Sequence, residues 1–219
     1  MNFQTLLLRV FIEAPPILFA ITAHEMAHAF AACRFGDTTA LRAGRLSLNP
    51  LRHIDVFGTF ILPMALLCMN LPGFGWAKPV PVDLSRLRRP KQAMLMVAAA
   101  GPASNALMAL AWTGSFKLAA ILPYRLPAAA LESMAVTGIG INLMLMTLNL
   151  LPLPPLDGGR IAVCLLPARF AMKLERMEPF GFFILIGLLS FGFLDRVLLP
   201  MVEVQAGFLF RIFNLEILF

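Results

Sequence analysis

The sequence predicts an all-α polytopic membrane protein: a three-helix core with a small β-rich loop and a re-entrant segment, followed by one or two C-terminal helices. Three observations carry that expectation. Hydrophobic residues make up 59% of the 219 and charged residues only 14%, with a mean hydropathy of +0.81, well outside the range of a soluble domain. Runs free of Asp, Glu, Lys and Arg recur at lengths that cross about 30 Å of hydrocarbon as a helix. The connections between them differ in composition, being rich in Thr, Val, Gly and Pro.

The first span, about residues 7–34, is apolar but holds Glu13, His24, Glu25 and His28. It reads as an uncleaved membrane helix carrying a site, because a signal peptide has a short, uninterrupted apolar region followed by a small-residue cleavage site. Residues 36–59 and 76–82 alternate apolar with polar side chains over short stretches, the pattern of strands and turns, and form the expected β-rich loop. Residues 56–77 carry no charge, yet Pro63, Pro72, Gly73 and Gly75 interrupt them, so a dip into the membrane and back is expected there. Residues 92–116 and 133–156 are charge-free for 25 and 24 positions and predict two further spans. Residues 160–178 interleave four basic with apolar residues, as a surface helix does. The run 179–194 is shorter, and 197–219 is apolar but broken by Glu203, Arg211 and Glu216, which fits a last span or an interfacial helix. The expected organisation is thus a membrane-embedded core over residues 1–178 and a C-terminal helix or helices over 179–219.

Eighteen Lys and Arg against twelve Asp and Glu give a net charge of +6. The basic residues lie between apolar runs, without a dense stripe interleaved with aromatics, so they report topology and exclude a nucleic-acid partner. Cys33, Cys68 and Cys164 are odd in number and lack CxxC spacing, which excludes a disulfide framework or a thiolate metal site.

Within the first span, His24, Glu25 and His28 form HExxH. Histidines at i and i+4 sit one turn apart on one helix face, so both imidazoles reach a single Zn²⁺, and Glu25 projects beside them where it can take a proton from a metal-bound water. The competing explanation is a chance match whose histidines are satisfied by neighbouring helices. Against it, two of only three histidines fall here, and a Glu inside a span costs about 2.5–3.5 kcal/mol unless it faces partners or water. A catalytic zinc takes three protein ligands and keeps one position open. Asp157 is the strongest third candidate: Pro152, Pro154 and Pro155 end the helix before it, and Gly158 and Gly159 permit a tight turn after it. A Pro-Gly loop with Asp157 and Arg160 as a surface pair is the alternative, and His53 is a competing ligand.

If Asp157 joins the histidines, its helix and the first span must run in the same direction. A full crossing by residues 56–77 forbids that, and a re-entrant path allows it. The re-entrant order also gathers thirteen basic residues on one side, against Arg9, Lys117 and Arg125 on the other, so the site is expected to open toward the cytoplasm.

Several further motifs follow in order: Gly44-Arg45-Leu46-Ser47-Leu48-Asn49-Pro50, Gly75 through Val82, Gly101-Pro102-x-x-Asn105, and Asn149 through Leu156-Asp157-Gly158-Gly159. With HExxH they make residues 24–160 resemble the site-2 protease family of intramembrane zinc metalloproteases, in its compact branch without a PDZ domain. The resemblance implies one zinc per chain held by His24, His28 and Asp157, Glu25 as general base, and Asn149 beside the site as an aid to the oxyanion. It implies hydrolysis of a peptide bond within or next to a transmembrane helix of a single-span substrate, in a bilayer of bacterial or archaeal plasma-membrane type. It also implies that the extra leading span of longer relatives is missing, since 23 residues precede His24. Ala98, Gly101 and their small neighbours allow close helix approach, and Asn105 is expected to hydrogen-bond to a neighbouring helix. An unwound substrate is expected to dock as an added strand on an edge offered by residues 36–59 and the re-entrant segment. The rival class is a non-catalytic zinc-binding membrane protein, separable by the absence of Glu25-dependent proteolysis.

Overall fold

A computed structural model describes residues 3–61, 64–65, 68 and 77–215. Its regular elements in chain order are α1 (Phe3–Arg34), α2 (Thr39–Arg42), α3 (Pro90–Ile121), α4 (Arg125–Asn149), α5 (Asp157–Leu165), α6 (Ala168–Glu175), α7 (Glu178–Ser190) and α8 (Leu199–Ile212), joined in places by short 3-10 and π turns. Local chemistry sets most of the boundaries. Gly36, at φ +105°, turns the chain out of α1. Pro90 opens α3, where a missing N–H costs nothing, and Pro123 stops it. Pro152, Pro154 and Pro155 prevent α4 from continuing past Asn149, so the span expected to reach residue 156 ends earlier and 150–156 is a turn.

The core is α1, α3 and α4, and side-chain contacts give their directions. Going forward along α1 from His24 to His28, the partners on α3 go backward, from Asn105 to Val97. Going forward along α4 from Gly138 to Asn142, the partners on α3 go backward again, from Trp112 to Asn105. Both helices are therefore antiparallel to α3 and parallel to each other. The C-terminal ends of α1 and α4 thus lie together, as the ligand hypothesis demanded. The contact face of α3 is lined by small or compact residues, including Ala93, Ala98, Gly101, Asn105 and Ala109, all buried. An apolar cluster of Ala109, Ile139, Leu143, Val202, Ala206 and Phe210 docks α8 onto α3 and α4.

By length and apolarity α3 and α4 qualify as membrane spans, and α7 with the helical stretch Leu194–Ile212, bent by 76° at their break, makes up to one more. Helix α1 is 32 residues long, about 48 Å, with its ionisable residues among apolar ones. Residues 160–178 form the two short helices α5 and α6 instead of one surface helix.

The expected β-rich loop is not found: among the described residues there is no strand. Side chains that accept hydrogen bonds from nearby backbone N–H groups make caps here instead. Asp37 holds the N–H of Thr39 at the start of α2, Asn49 that of Leu51, and Asp83 that of Ser85. Residues 77–82 form no regular element; Pro79 and Pro81 remove alternate donors and no ladder forms. Most of the expected re-entrant segment lies outside the described residues; its first part, Val56–Ile61, is a π-helical stretch. Residues 36–89 begin and end at the same end of the core, since Arg88 N–H donates to the Phe35 carbonyl at 2.9 Å. No net crossing separates α1 from α3.

Candidate metal centre

His24 and His28 face α3 from the last third of α1, 7% and 8% exposed. Their rings stand edge to face, with centroids 4.7 Å apart. Asp157, the first residue of α5 and 8% exposed, brings Oδ2 to 3.3 Å from His24 Nε2 and 3.2 Å from His28 Nε2. The turn that delivers it depends on glycine: a Cβ at Gly158 would overlap the carbonyls of Leu150 and Leu151, and one at Gly159 the backbone of Pro154.

A relay of hydrogen bonds fixes the tautomers of both imidazoles. Asn142 Nδ2 donates to the Gly138 carbonyl at 2.7 Å, so its Oδ1 faces Asn105 and accepts from Asn105 Nδ2 at 2.9 Å. Asn105 therefore presents Oδ1 to His24 Nδ1, 2.5 Å away, and that nitrogen must donate. His28 Nδ1 donates to the Val97 carbonyl at 2.7 Å for the same reason. In neutral imidazoles both Nε2 atoms are then lone-pair acceptors, and they lie 3.1 Å apart.

This donor set fits a zinc ion. Three acceptor atoms, two imidazole nitrogens and a carboxylate oxygen, fall within 4.8 Å of one another. Asp157 Oδ2 is buried without a hydrogen-bond partner among the described residues. Three converging acceptors without a donor repel one another unless a cation sits among them, and N₂O is a ligand set zinc accepts. The space is kept open by Gly101, where a Cβ would collide with His28 Nε2 and approach His24 Cε1 at 2.6 Å. Outward hydrogen bonds from Nδ1 are the outer partners that orient metal-binding histidines.

Glu25 lies next to His24 and is half-buried; its Oε2 accepts the N–H of Val80 at 3.2 Å. Val80 belongs to the irregular stretch 77–82, which packs against Ala29 of α1 and Ala40 of α2. The stretch is tethered at one end by Lys78 N–H to the His53 carbonyl at 2.8 Å, and at the other by Asp83 N–H to Asp37 Oδ2 at 2.7 Å. His53 is buried, donates Nε2 to the Ser47 carbonyl at 2.8 Å and is not a member of the cluster. Asn149 ends α4 with its Nδ2 donating to the Leu145 carbonyl at 3.0 Å. Asn105 makes the interhelical bond expected of it and also holds His24. Asn142 and the Val80 N–H were not anticipated. An amide inside a charge-free span was the available signal for Asn142; a backbone donor leaves none.

Comparison with known proteins identifies relatives of the whole chain. The family model described as Peptidase family M50 matches residues 113–191, which include Asn149 and Asp157. A protein of Bacillus subtilis (strain 168) named "Putative zinc metalloprotease YwhC" is 37% identical over 203 residues, covering 90% of this chain and 89% of that protein. A protein of Mycolicibacterium smegmatis named "Putative zinc metalloprotease Rip2" is 30% identical over 181 residues, covering 82% of this chain and 66% of that protein. No solved structure matches.

Proposed function

The chain belongs to peptidase family M50, the site-2 proteases, and from that premise we propose how its residues divide the work of an intramembrane zinc metalloprotease. Like the family, it is an integral membrane zinc metalloprotease acting on membrane proteins. In our reading His24, His28 and Asp157 hold the zinc, Glu25 is the general base, and the substrate is a single-span protein cut within or next to its transmembrane helix. The observation that carries this reading is the convergence of three buried acceptors on one point beside Glu25.

Bound zinc supplies Lewis acidity, polarising a carbonyl and lowering the pKa of water toward 7. The chain's own residues do the rest. With Oε2 tied to the Val80 N–H, Oε1 of Glu25 is the oxygen that takes the proton of the attacking water; the same carboxyl then gives it to the leaving amine. Asn149 serves the oxyanion by turning its Nδ2 away from the Leu145 carbonyl toward the developing charge. The peptide bond must first leave its helical i to i+4 hydrogen bond, so the substrate unwinds before it is cut. An edge within residues 36–59 does not receive it, because no strand exists there, and the N–H groups of Lys78 and Val80 are already engaged. The thirteen basic residues that the sequence assigns to the site's side of the membrane support a reading in which that side is cytoplasmic, in a plasma membrane of bacterial or archaeal type. Residues 1–178 are the proteolytic core and 179–219 its C-terminal helical addition.

The test is cleavage of single-span substrates by purified protein, with metal analysis alongside. Glu25→Gln keeps its zinc and loses at least about a hundredfold in turnover, the usual share of a general base. Asp157→Ala loses the zinc as well. Undiminished turnover in Glu25→Gln, or stoichiometric zinc in Asp157→Ala, overturns the assignment.

A further inference from the structure

A cavity of about 280 Å³ opens beside the centre, and nothing in the mechanism above uses it. Two of its walls belong to the site. Val80 gives its N–H to Glu25, and Gly159 stands two residues beyond Asp157 on α5. Its volume, at the lower edge of the ~300–1,000 Å³ of small-ligand pockets, suits one or two side chains of a bound peptide.

The lining mixes apolar with charged side chains. Val80, Val82, Met94 and Val163 make it apolar. Arg160 lies on the site's own helix, three residues after Asp157, whereas Glu175 and Glu178 lie farther along the chain, at the end of α6 and the start of α7. Neither glutamate forms an ion pair with Arg160 or any other described cation. Both are exposed at the rim, so their charge is available to an incoming group. A pocket that adjoins the site through Val80 and Gly159, and combines apolar side chains with two exposed carboxylates that form no ion pair among the described residues, matches a side chain with a long aliphatic stem and a cationic head that seats on the glutamates and away from Arg160. Segments that flank the cytoplasmic ends of membrane helices are rich in Lys and Arg, so a substrate entering from that side carries such side chains next to its span.

We propose that this cavity is a specificity subsite that takes a Lys or Arg of the substrate's cytoplasmic flank, with Glu175 and Glu178 meeting the cationic head. The proposal rests on the protease reading and goes beyond it by naming the substrate feature that sets the cleavage register. Such a contact positions the chain so that one peptide bond reaches Glu25 and the metal ligands, and it disfavours segments with acidic flanks.

The test uses the purified full chain with zinc and synthetic single-span peptides of about 20 apolar residues, identical except that each cytoplasmic flank position in turn carries Lys, Gln or Glu. Wild type cleaves the Lys peptide about fivefold faster than the Gln peptide at one flank position, the size expected of charge pairs at an exposed rim, with Glu slowest. In the double variant E175Q/E178Q the Lys-to-Gln ratio at that position falls to about one, and in E175K/E178K the Glu peptide becomes the better one. Equal cleavage of Lys, Gln and Glu peptides at every flank position, with cleavage still dependent on Glu25, overturns the subsite and leaves the protease reading standing. A Lys preference that survives both double variants overturns the subsite too. Cleavage independent of Glu25, or none of any peptide, overturns the protease reading and the subsite with it.

Discussion

The two histidines proposed as metal ligands and the proposed base lie within one turn of α1, yet different kinds of structure hold them. His24 and His28 are oriented from within the helical core, by Asn105 and the Val97 carbonyl on α3 and, one step further out, by Asn142 on α4. Each of these groups is buried between helices and satisfied by another. Glu25 is oriented from the other side, by the backbone N–H of Val80 in an irregular segment whose ends are pinned to His53 and Asp37. On the proposed assignment, affinity for zinc is a property of the helix core, and turnover depends in addition on a loop. Substitutions in the core should move metal content; substitutions in the loop should change the rate with the metal in place.

The largest effect expected within this comparison is at Asn105. Asn105→Ala leaves the Nδ1–H of His24 without its acceptor and frees the ring to rotate or change tautomer. Zinc affinity, measured by competition with a chromophoric chelator in detergent, should fall about 10- to 100-fold, the usual cost of losing an outer-shell partner. Unchanged affinity would break the claim that the core sets the ligands.

A smaller, opposite signature is expected at Val80. Val80→Pro deletes the N–H that holds Glu25 Oε2, whereas Val80→Ala keeps it and sacrifices only packing in the cluster with Ala29 and Ala40. Relative to Val80→Ala, the proline variant should lose about tenfold in kcat, equivalent to ~1.4 kcal/mol for a hydrogen bond to a charged group, at unchanged zinc content. A loss of zinc in Val80→Pro would show that loop and core are not separable.

The two regions also differ in how far they could be read from the chain. His24 and His28 were legible together because helical periodicity puts them on one face, and Glu25 because the HExxH pattern sets it beside them. Asp157 was legible only as a candidate: its role depends on parallel α1 and α4, a tertiary fact that no local pattern encodes, and on a turn that two glycines make sterically possible. Asn142 was missed because an amide in an apolar span reads as interhelical glue until its partner is known. The β-rich loop was misread because alternation of apolar and polar residues carries no information about donors. Pro79 and Pro81 remove them, and Asp37, Asn49 and Asp83 capture neighbouring N–H groups before a ladder can form.

Asp37 offers the mildest test of the division between core and loop. Fully buried, its carboxylate accepts the N–H and hydroxyl of Thr39 through Oδ1 and the N–H of Asp83 through Oδ2. Burial alone would raise its pKa, but these hydrogen bonds outweigh burial and, with Arg86 nearby, hold it below the usual carboxylate range. Because the folded value lies below the unfolded one of about 3.9, the contribution to stability is complete above that pH and is lost as pH falls through the folded value. Asp37→Asn sets an amide N–H against one of the donors, and should cost about 1–3 kcal/mol at neutral pH. The variant's thermal unfolding in detergent should then lack the part of the wild-type decline below about pH 4 that comes from protonating this group. Since Asp37 reaches Glu25 only through the segment 77–82, kcat should drop a few-fold and zinc affinity should stay as in wild type. An acid profile identical to wild type would show that the loop is anchored elsewhere, and a fall in zinc affinity would show that the anchor extends into the helical core.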